Sequence, residues 1–409
     1  MKKLGLAFIV ILCGLLIPVR IQAEDLLTMT KDAGYKVSKT DLPKAYILVD
    51  LETGQILEEN NSELSRDPAN LTKLMTVYLV LEAVENGQLK LEKKINLNTS
   101  LSYSPNYYTV EDLVALSLIS SSNDAAIALA STLQTLTGTD FVESMNQKAK
   151  DLGMSHTKFV NETGAASLNG ETTQSITTAR DLALLSYDIL TNYPEVLTYT
   201  EQTTYTIQKG MASEEILTSY NHSLEGDAEG LGISGVNGLI TGSSANAGFN
   251  AIVTAKRNNR QLISVVLGVG DWNNQEGVYT RHYFANTLLE HGFSDFSYQL
   301  LAQKGEYELA GQTYDLNNNL YGLIKKGESK PKLEVTDGNL HLKSSSSSSL
   351  LTPPKGVKAT PVKKGLFSSQ ASTKDYPFVD IMFYIGLLTT IAVLIGMTFF
   401  EQLRQLIKR

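Results

Sequence analysis

A lysine amine held one helical turn from a hydroxyl can take its proton and turn it into a nucleophile, because residues i and i+3 share a face of a helix. The run Asn70-Leu-Thr-Lys73 has that spacing and that lysine, with a carboxamide where the hydroxyl would stand. Downstream, Ser120-Ser121-Ser122-Asn123 offers hydroxyls beside an amide, and Ile240-Thr241-Gly242-Ser243-Ser244 is a strand-like run ending in hydroxyl groups. The chemistry such a set serves is acyl transfer. Ser155-x-x-Lys158 and Ser329-x-x-Lys332 share the spacing by chance: the first reads as loop, and Pro331 breaks a helix through the second. Thr72 lies beside Lys73, but neighbours on a helix point about 100° apart, so its hydroxyl should miss the amine. Ser121 with Lys73 as its base is the remaining alternative nucleophile, although its place in a loop suits an acyl group poorly.

The elements that must position these residues are legible. Asp67-Pro68 supplies a cap and a first-turn proline, and Leu71, Leu74, Met75, Tyr78 and Leu79 recur at helical spacing until Gly87. Thr109 with Asp112 makes a capping box for a helix running through Ile119. Ser121 and Asn123 also fit a plain helix cap for the segment starting near Asp124. Ala45–Asp50 and Gln55–Leu57 flank Glu52-Thr53-Gly54 as a hairpin, and Ala247–Lys256 and Gln261–Val269 alternate about Asn258-Asn259 as another. Helices between strands contributed by both ends of the segment predict an antiparallel sheet. Tyr298–Leu342 is shorter and more polar, with strand-like pieces such as Tyr307–Ala310, and reads as a small β-rich domain.

Composition excludes several classes. Lys and Arg number 35 against 43 Asp and Glu, giving a net charge of −8, so the chain lacks the footprint of a nucleic-acid binder. The single Cys13 lies in a segment expected to be removed, and the 5 His are scattered. No disulfide, metal centre or cofactor is therefore expected.

The two ends predict where the body works. Residues 1–23 open with Lys2 and Lys3, run apolar from Leu4 to Val19 and close at Ile21-Gln-Ala23, the pattern of a signal peptide. Residues 378–400, apolar without a formal charge from Ile381 to Phe400, have the length of a transmembrane helix. Arg404, Lys408 and Arg409 in the 401–409 tail place that tail in the cytoplasm and the body outside. Residues 344–377, with Ser344–Ser349 and Pro353-Pro354, read as an unfolded linker. The expected organisation is thus signal peptide 1–23, main domain 24–292, small domain 293–343, linker 344–377, membrane helix 378–400 and tail 401–409.

In order along the chain, Ala69-Asn70-Leu-Thr-Lys73-Leu-Met-Thr, Ser121-Ser-Asn123 and Ile240-Thr241-Gly242-Ser243-Ser244 followed by Ala247-Gly-Phe249 resemble the S-x-x-K, S-x-N and K-T-G motifs of low-molecular-mass penicillin-binding proteins. Gly153–Asn161 with Thr163-Gly164 is similar to that family as well. The resemblance covers about residues 40 to 290. It implies an α/β (α+β) β-lactamase-like fold with a helical lobe, and the activity of a serine D-alanyl-D-alanine carboxypeptidase acting on peptidoglycan stem peptides and binding β-lactams. By the same likeness Lys73 would be the proton acceptor, Ser121 a proton relay, and Asn123, Thr241 and Gly242, with Ser243 and Ser244 behind them, would hold substrate.

Two positions depart from that pattern. Asn70 occupies the place of the acylated serine, and Ile240 that of the K-T-G lysine that meets the substrate's terminal carboxylate. The expectation is a chain impaired in turnover that binds peptidoglycan or a partner. Two alternatives stand beside it: an active carboxypeptidase with an unconventional nucleophile, and an acidic surface scaffold that makes no use of the cleft.

Overall fold

The computed structural model describes residues 25–97, 107–165, 174–343 and 349–362. The segments read as signal peptide, membrane helix and cytoplasmic tail lie outside the described residues, and among those described no helix is long and apolar enough to cross a membrane.

After α1 (Leu26–Asp32), the hairpin β1 (Ala45–Asp50) and β2 (Ile56–Asn60) leads to α2 (Lys73–Glu85) and the short pair β3 (Lys94–Asn96) and β4 (Tyr107–Thr109). Helices α3 (Val110–Leu118), α4 (Asn123–Thr137), α5 (Phe141–Asp151), α6 (Ala179–Asn192) and α7 (Leu197–Thr200) follow, then the pair β5 (Thr204–Ile207) and β6 (Glu215–Thr218). The chain returns to the sheet through β7 (Val236–Ser244), β8 (Gly248–Arg257) and β9 (Arg260–Val269), and α8 (Gly277–Asp295) closes the domain. The long strands form one antiparallel sheet in the order β2-β1-β9-β8-β7, so its strands do come from both ends of the domain.

Strand alternation sorts the two cores. Ile47, Val49, Ile263 and Val265 face the helical lobe built on α2 to α6, while Leu48, Leu262 and Val266 face Phe284 and Leu288 of α8. The predicted capping box at Thr109 and Asp112 is present, and Asn258 and Asn259 turn the β8–β9 hairpin at φ 48° and 63°.

The domain boundaries differ from the sequence expectation. Gly292 does not end the main domain; it lies within α8, where a Cβ would come within 2.7 Å of Leu262 and 2.9 Å of Leu48, so it serves close helix–sheet packing. The small domain begins with β10 (Phe296–Ala302) and continues through β11 (Gly305–Leu309), β12 (Gln312–Leu316), β13 (Leu320–Lys325), β14 (Leu333–Thr336) and β15 (Asn339–Leu342).

It does not end at 343 either. Part of the segment read as linker folds back: Leu350 is buried against the main domain, its N–H donates to Gly54 O at 2.8 Å, and β16 (Val357–Pro361) pairs with both β12 and β15. In the order β11-β12-β16-β15-β14, this strand is central. The physical reason is that β12 and β15 would otherwise end as open edges over the buried Leu316 and Leu340, and Ala359 of β16 completes that cluster.

Candidate active site

Asn70 sits on an elbow rather than in an α-helix. Residues Ala69–Thr72 form a 3-10 turn, α2 starts only at Lys73, and Ala69 holds φ 48°, a left-handed conformation that costs an L-residue about 1–2 kcal/mol. A set of hydrogen bonds offsets that cost. Asp67 Oδ1 accepts from Ala69 N at 2.8 Å, while Oδ2 accepts from Ser244 Oγ at 3.0 Å and Gln174 Nε2 at 3.2 Å. Asn250, fully buried on β8, donates through Nδ2 to Asp67 O and Pro68 O and accepts from Gly268 N. Behind it Arg281, whose guanidinium burial pushes down to about 9, donates to Asn250 O at 3.4 Å.

Two glycines let neighbouring backbone close on the elbow. A Cβ on Gly242 would lie 2.8 Å from Leu71 N and 3.0 Å from Asn70 N, and one on Gly164 would overlap Ala69 O at 1.8 Å. The strand bearing Thr241 and Gly242 therefore runs directly beside residue 70.

Lys73 is fully buried at the first turn of α2, with Nζ donating to Asn70 Oδ1 and to Thr163 O, each at 2.9 Å. Burial pushes its amine down to about 8, and no carboxylate pairs with it among the described residues. Thr163 O is held in place by Asn161 Oδ1, which accepts from the N–H groups of Thr163 and Gly164, and by Thr76 Oγ1, which donates to Glu162 O. The sense of the Lys73 contact matters. A base must receive a proton from its partner, whereas here the amine donates to an amide oxygen, and the amide nitrogen's lone pair is delocalised.

The α3–α4 turn approaches β7 from the other side: Leu118 and Ile119 share a narrow crevice with Leu239, Ile240 and Thr241. Ser121 is half-buried at φ 53° and makes no side-chain hydrogen bond among the described residues. The cap of α4 is Ser122, whose side chain accepts from Ala125 N, so neither Ser121 nor the exposed Asn123 is needed as that helix's cap. Ile240, paired with Ile252, is buried in the core shared with the helical lobe. Thr241 and Gly242 are buried beside the elbow, and Ser243 is half-buried. Ser244, expected to hold substrate, is bonded instead to Asp67 and to Ala247 N, closing the β7–β8 turn.

The other candidate nucleophiles are poorly placed. Thr72 is fully buried and its Oγ1 has no partner among the described residues; Ser155 is exposed, and Lys158 pairs through its backbone with Ile176. No group of metal-ligating side chains occurs among the described residues. The sequence reading missed Asp67, Asn250, Gln174 and the carbonyl of Thr163 as parts of the site. The Asp67-Pro68 and Thr163-Gly164 pairs were the available signals, read only as a cap and as family likeness.

The family model described as D-alanyl-D-alanine carboxypeptidase matches residues 37–271, from the first strand through the elbow to the end of β9. The chain belongs to this family. A second model, a domain of unknown function, matches residues 298–355 and so includes most of the small domain and part of the returning segment. Among curated relatives, D-alanyl-D-alanine carboxypeptidase DacF of Bacillus subtilis is 27% identical over 274 residues, 64% of this chain and 65% of the relative. DacC of Escherichia coli is 31% identical over 240 residues, covering 55% and 56%. The chain thus spans between about half and two thirds of the length of these two carboxypeptidases. Among solved structures, ampicillin-bound penicillin-binding protein D2 of Listeria monocytogenes aligns with 35% identity and a TM-score of 0.53 over 62% of this chain and 98% of that one. The peptidoglycan synthesis regulatory factor PBP3 of Streptococcus pneumoniae aligns with 26% identity and a TM-score of 0.64 over 80% and 100%. This carboxypeptidase-family fold is the one the motifs imply, and its β-rich second domain is the one expected from the strand-like pieces after Tyr298.

Proposed function

We propose that this member of the carboxypeptidase family is a cell-wall protein that has lost acyl transfer at residue 70 and acts by holding peptidoglycan stem peptides or a protein partner. One observation carries this reading: the Lys73 amine donates to Asn70 Oδ1 at 2.9 Å on an elbow whose supports are all in place. Loss of a nucleophile costs several orders of magnitude in rate. Ile240 supports the same reading, since an aliphatic side chain offers the terminal carboxylate of a stem peptide neither charge nor donor. The site needs no cofactor in this reading. Residues 378–400 would anchor the chain in the membrane of a bacterium with a thick wall, with the body outside.

Intact-mass spectrometry of the full chain in detergent, incubated with excess benzylpenicillin, tests the proposal. The full chain is required because trimming at 343 would remove β16. The expected result is no adduct on the native chain and an adduct on the Asn70→Ser, Ile240→Lys double variant. An adduct on the native protein, mapped to Ser121, Thr72 or another residue, would overturn it in favour of an active carboxypeptidase with an unconventional nucleophile.

A further inference from the structure

A cleft lies away from Asn70, at the seam between the domains, with a volume of about 770 Å3. That is within the usual size of a small-molecule site. The main domain contributes the turn residues Asn258 and Asn259 with Arg260; the small domain contributes Tyr298, Asn319, Tyr321 and the returning Lys355.

The cationic groups of the cleft bond to protein carbonyls, and the exposed Glu52 carboxylate lies 3.7 Å from Lys355 Nζ. Arg260 donates to Phe296 O at 3.0 Å and Gly292 O at 2.8 Å, and Lys355 Nζ donates to Glu52 O at 2.6 Å. The cleft also presents aromatic rings and carboxamides. Tyr321 is 45% exposed. Tyr298 is fixed by its hydroxyl, which donates to the fully buried Asp50 at 2.9 Å. Asn319 is oriented by Lys304 N, which donates to its Oδ1, and its Nδ2 reaches the Tyr321 hydroxyl at 3.3 Å. Asn258 and Asn259 make no side-chain hydrogen bond among the described residues.

Flat aromatic faces meet the C–H faces of sugar rings, and carboxamides both donate to and accept from hydroxyl and acetamido groups. We infer that this interdomain cleft binds a glycan chain of N-acetylated amino sugars, the sugar chemistry of the wall's own polysaccharide. The inference goes beyond the reading of the acyl-transfer cleft and does not depend on the fate of Asn70.

The test is ligand-observed NMR titration of the full chain in detergent, with tetra-N-acetylchitotetraose and, separately, with glycan strands stripped of stem peptides. Binding of either is expected, with Tyr321→Ala weakening it about tenfold or more and Tyr321→Phe leaving it within about twofold, since the ring supplies the contact. Asn259→Gly keeps the left-handed turn while removing one amide, and should weaken binding about threefold. Preference for the wall strands assigns the ligand to the wall, and preference for chitotetraose assigns it to a glycan built from N-acetylglucosamine alone. Absence of binding at about 10 mM sugar, or binding that Tyr321→Ala and Asn259→Gly both leave unchanged, overturns the inference. The double variant at positions 70 and 240 should bind sugar as the native chain does, which separates failure here from failure of the proposed function.

Discussion

The elbow that carries Asn70 and the strand centre that carries Ile240 adjoin one cleft, and they accommodate their departures from the family pattern differently. At the elbow the supporting hydrogen bonds run to backbone groups of Asp67, Pro68 and Ala69, and among the described residues the Asn70 side chain bonds to Lys73. On β7 the side chain of Ile240 has become part of the hydrophobic core between sheet and lobe. A residue supported through its backbone can be exchanged alone; a residue absorbed into a core takes its neighbours with it. Reversal should therefore be mild at position 70 and costly at position 240.

The sharpest way to break this contrast is to ask whether the elbow is still a catalytic frame. In the Asn70→Ser, Ile240→Lys background, adding Lys73→Met should lower acylation by benzylpenicillin by several orders of magnitude, measured by fluorescent-penicillin labelling, because Lys73 is the amine bonded to the side chain of residue 70. Labelling that survives would place the base elsewhere. Stability gives the next largest effect. Ile240→Lys alone should destabilise by about 2–4 kcal/mol in urea titrations, because it removes apolar burial and brings a charge toward the core, whereas Asn70→Ser should cost under about 1 kcal/mol. Equal costs would erase the distinction.

Asp67→Ala addresses the support itself. It leaves Ala69 N, Ser244 Oγ and Gln174 Nε2 without their shared acceptor and should cost about 1–3 kcal/mol, while the packing of Ile240 is untouched. The smallest effect is one of pH. The Lys73 amine lies near 8 in the folded chain against an ordinary 10.5, so between those values the unfolded chain binds the extra proton and stability rises with pH. The native protein should gain on Lys73→Met between pH 8 and 10.5 in chemical denaturation. A constant difference across that window would mean the amine is not held in a dry site.

Local signals carried much of this architecture. The Thr109 capping box, the Asn258-Asn259 turn and the alternation in β1, β8 and β9 state their structures within a few residues, and the order of the motifs places the cleft. The parts that escaped reading are those joined across the chain. Asp67 meets Gln174 and Ser244 at separations of 107 and 177 residues, and Lys73 is met by a backbone carbonyl, which no side-chain pattern marks. The 3-10 turn at 69–72 was masked by apolar spacing that suits either helix, and the boundary at 292 falls inside α8 because the packing partners of Gly292, Leu48 and Leu262, lie elsewhere in sequence. The strand β16 was hidden by the serine and proline run before it.

That strand also determines how the molecule answers a pull. Tension applied to the chain beyond Val362 reaches β16 first, where Val357 to Pro361 pair with Leu316, Asp315 and Tyr314 on one side and with Leu340 and Asn339 on the other. A force along the strand loads both ladders together, whereas a sideways force opens them one rung at a time. A pull from that side therefore meets the small domain's central strand before it meets Leu350 and the Lys355 clamp, the contacts that tie this segment to the main domain.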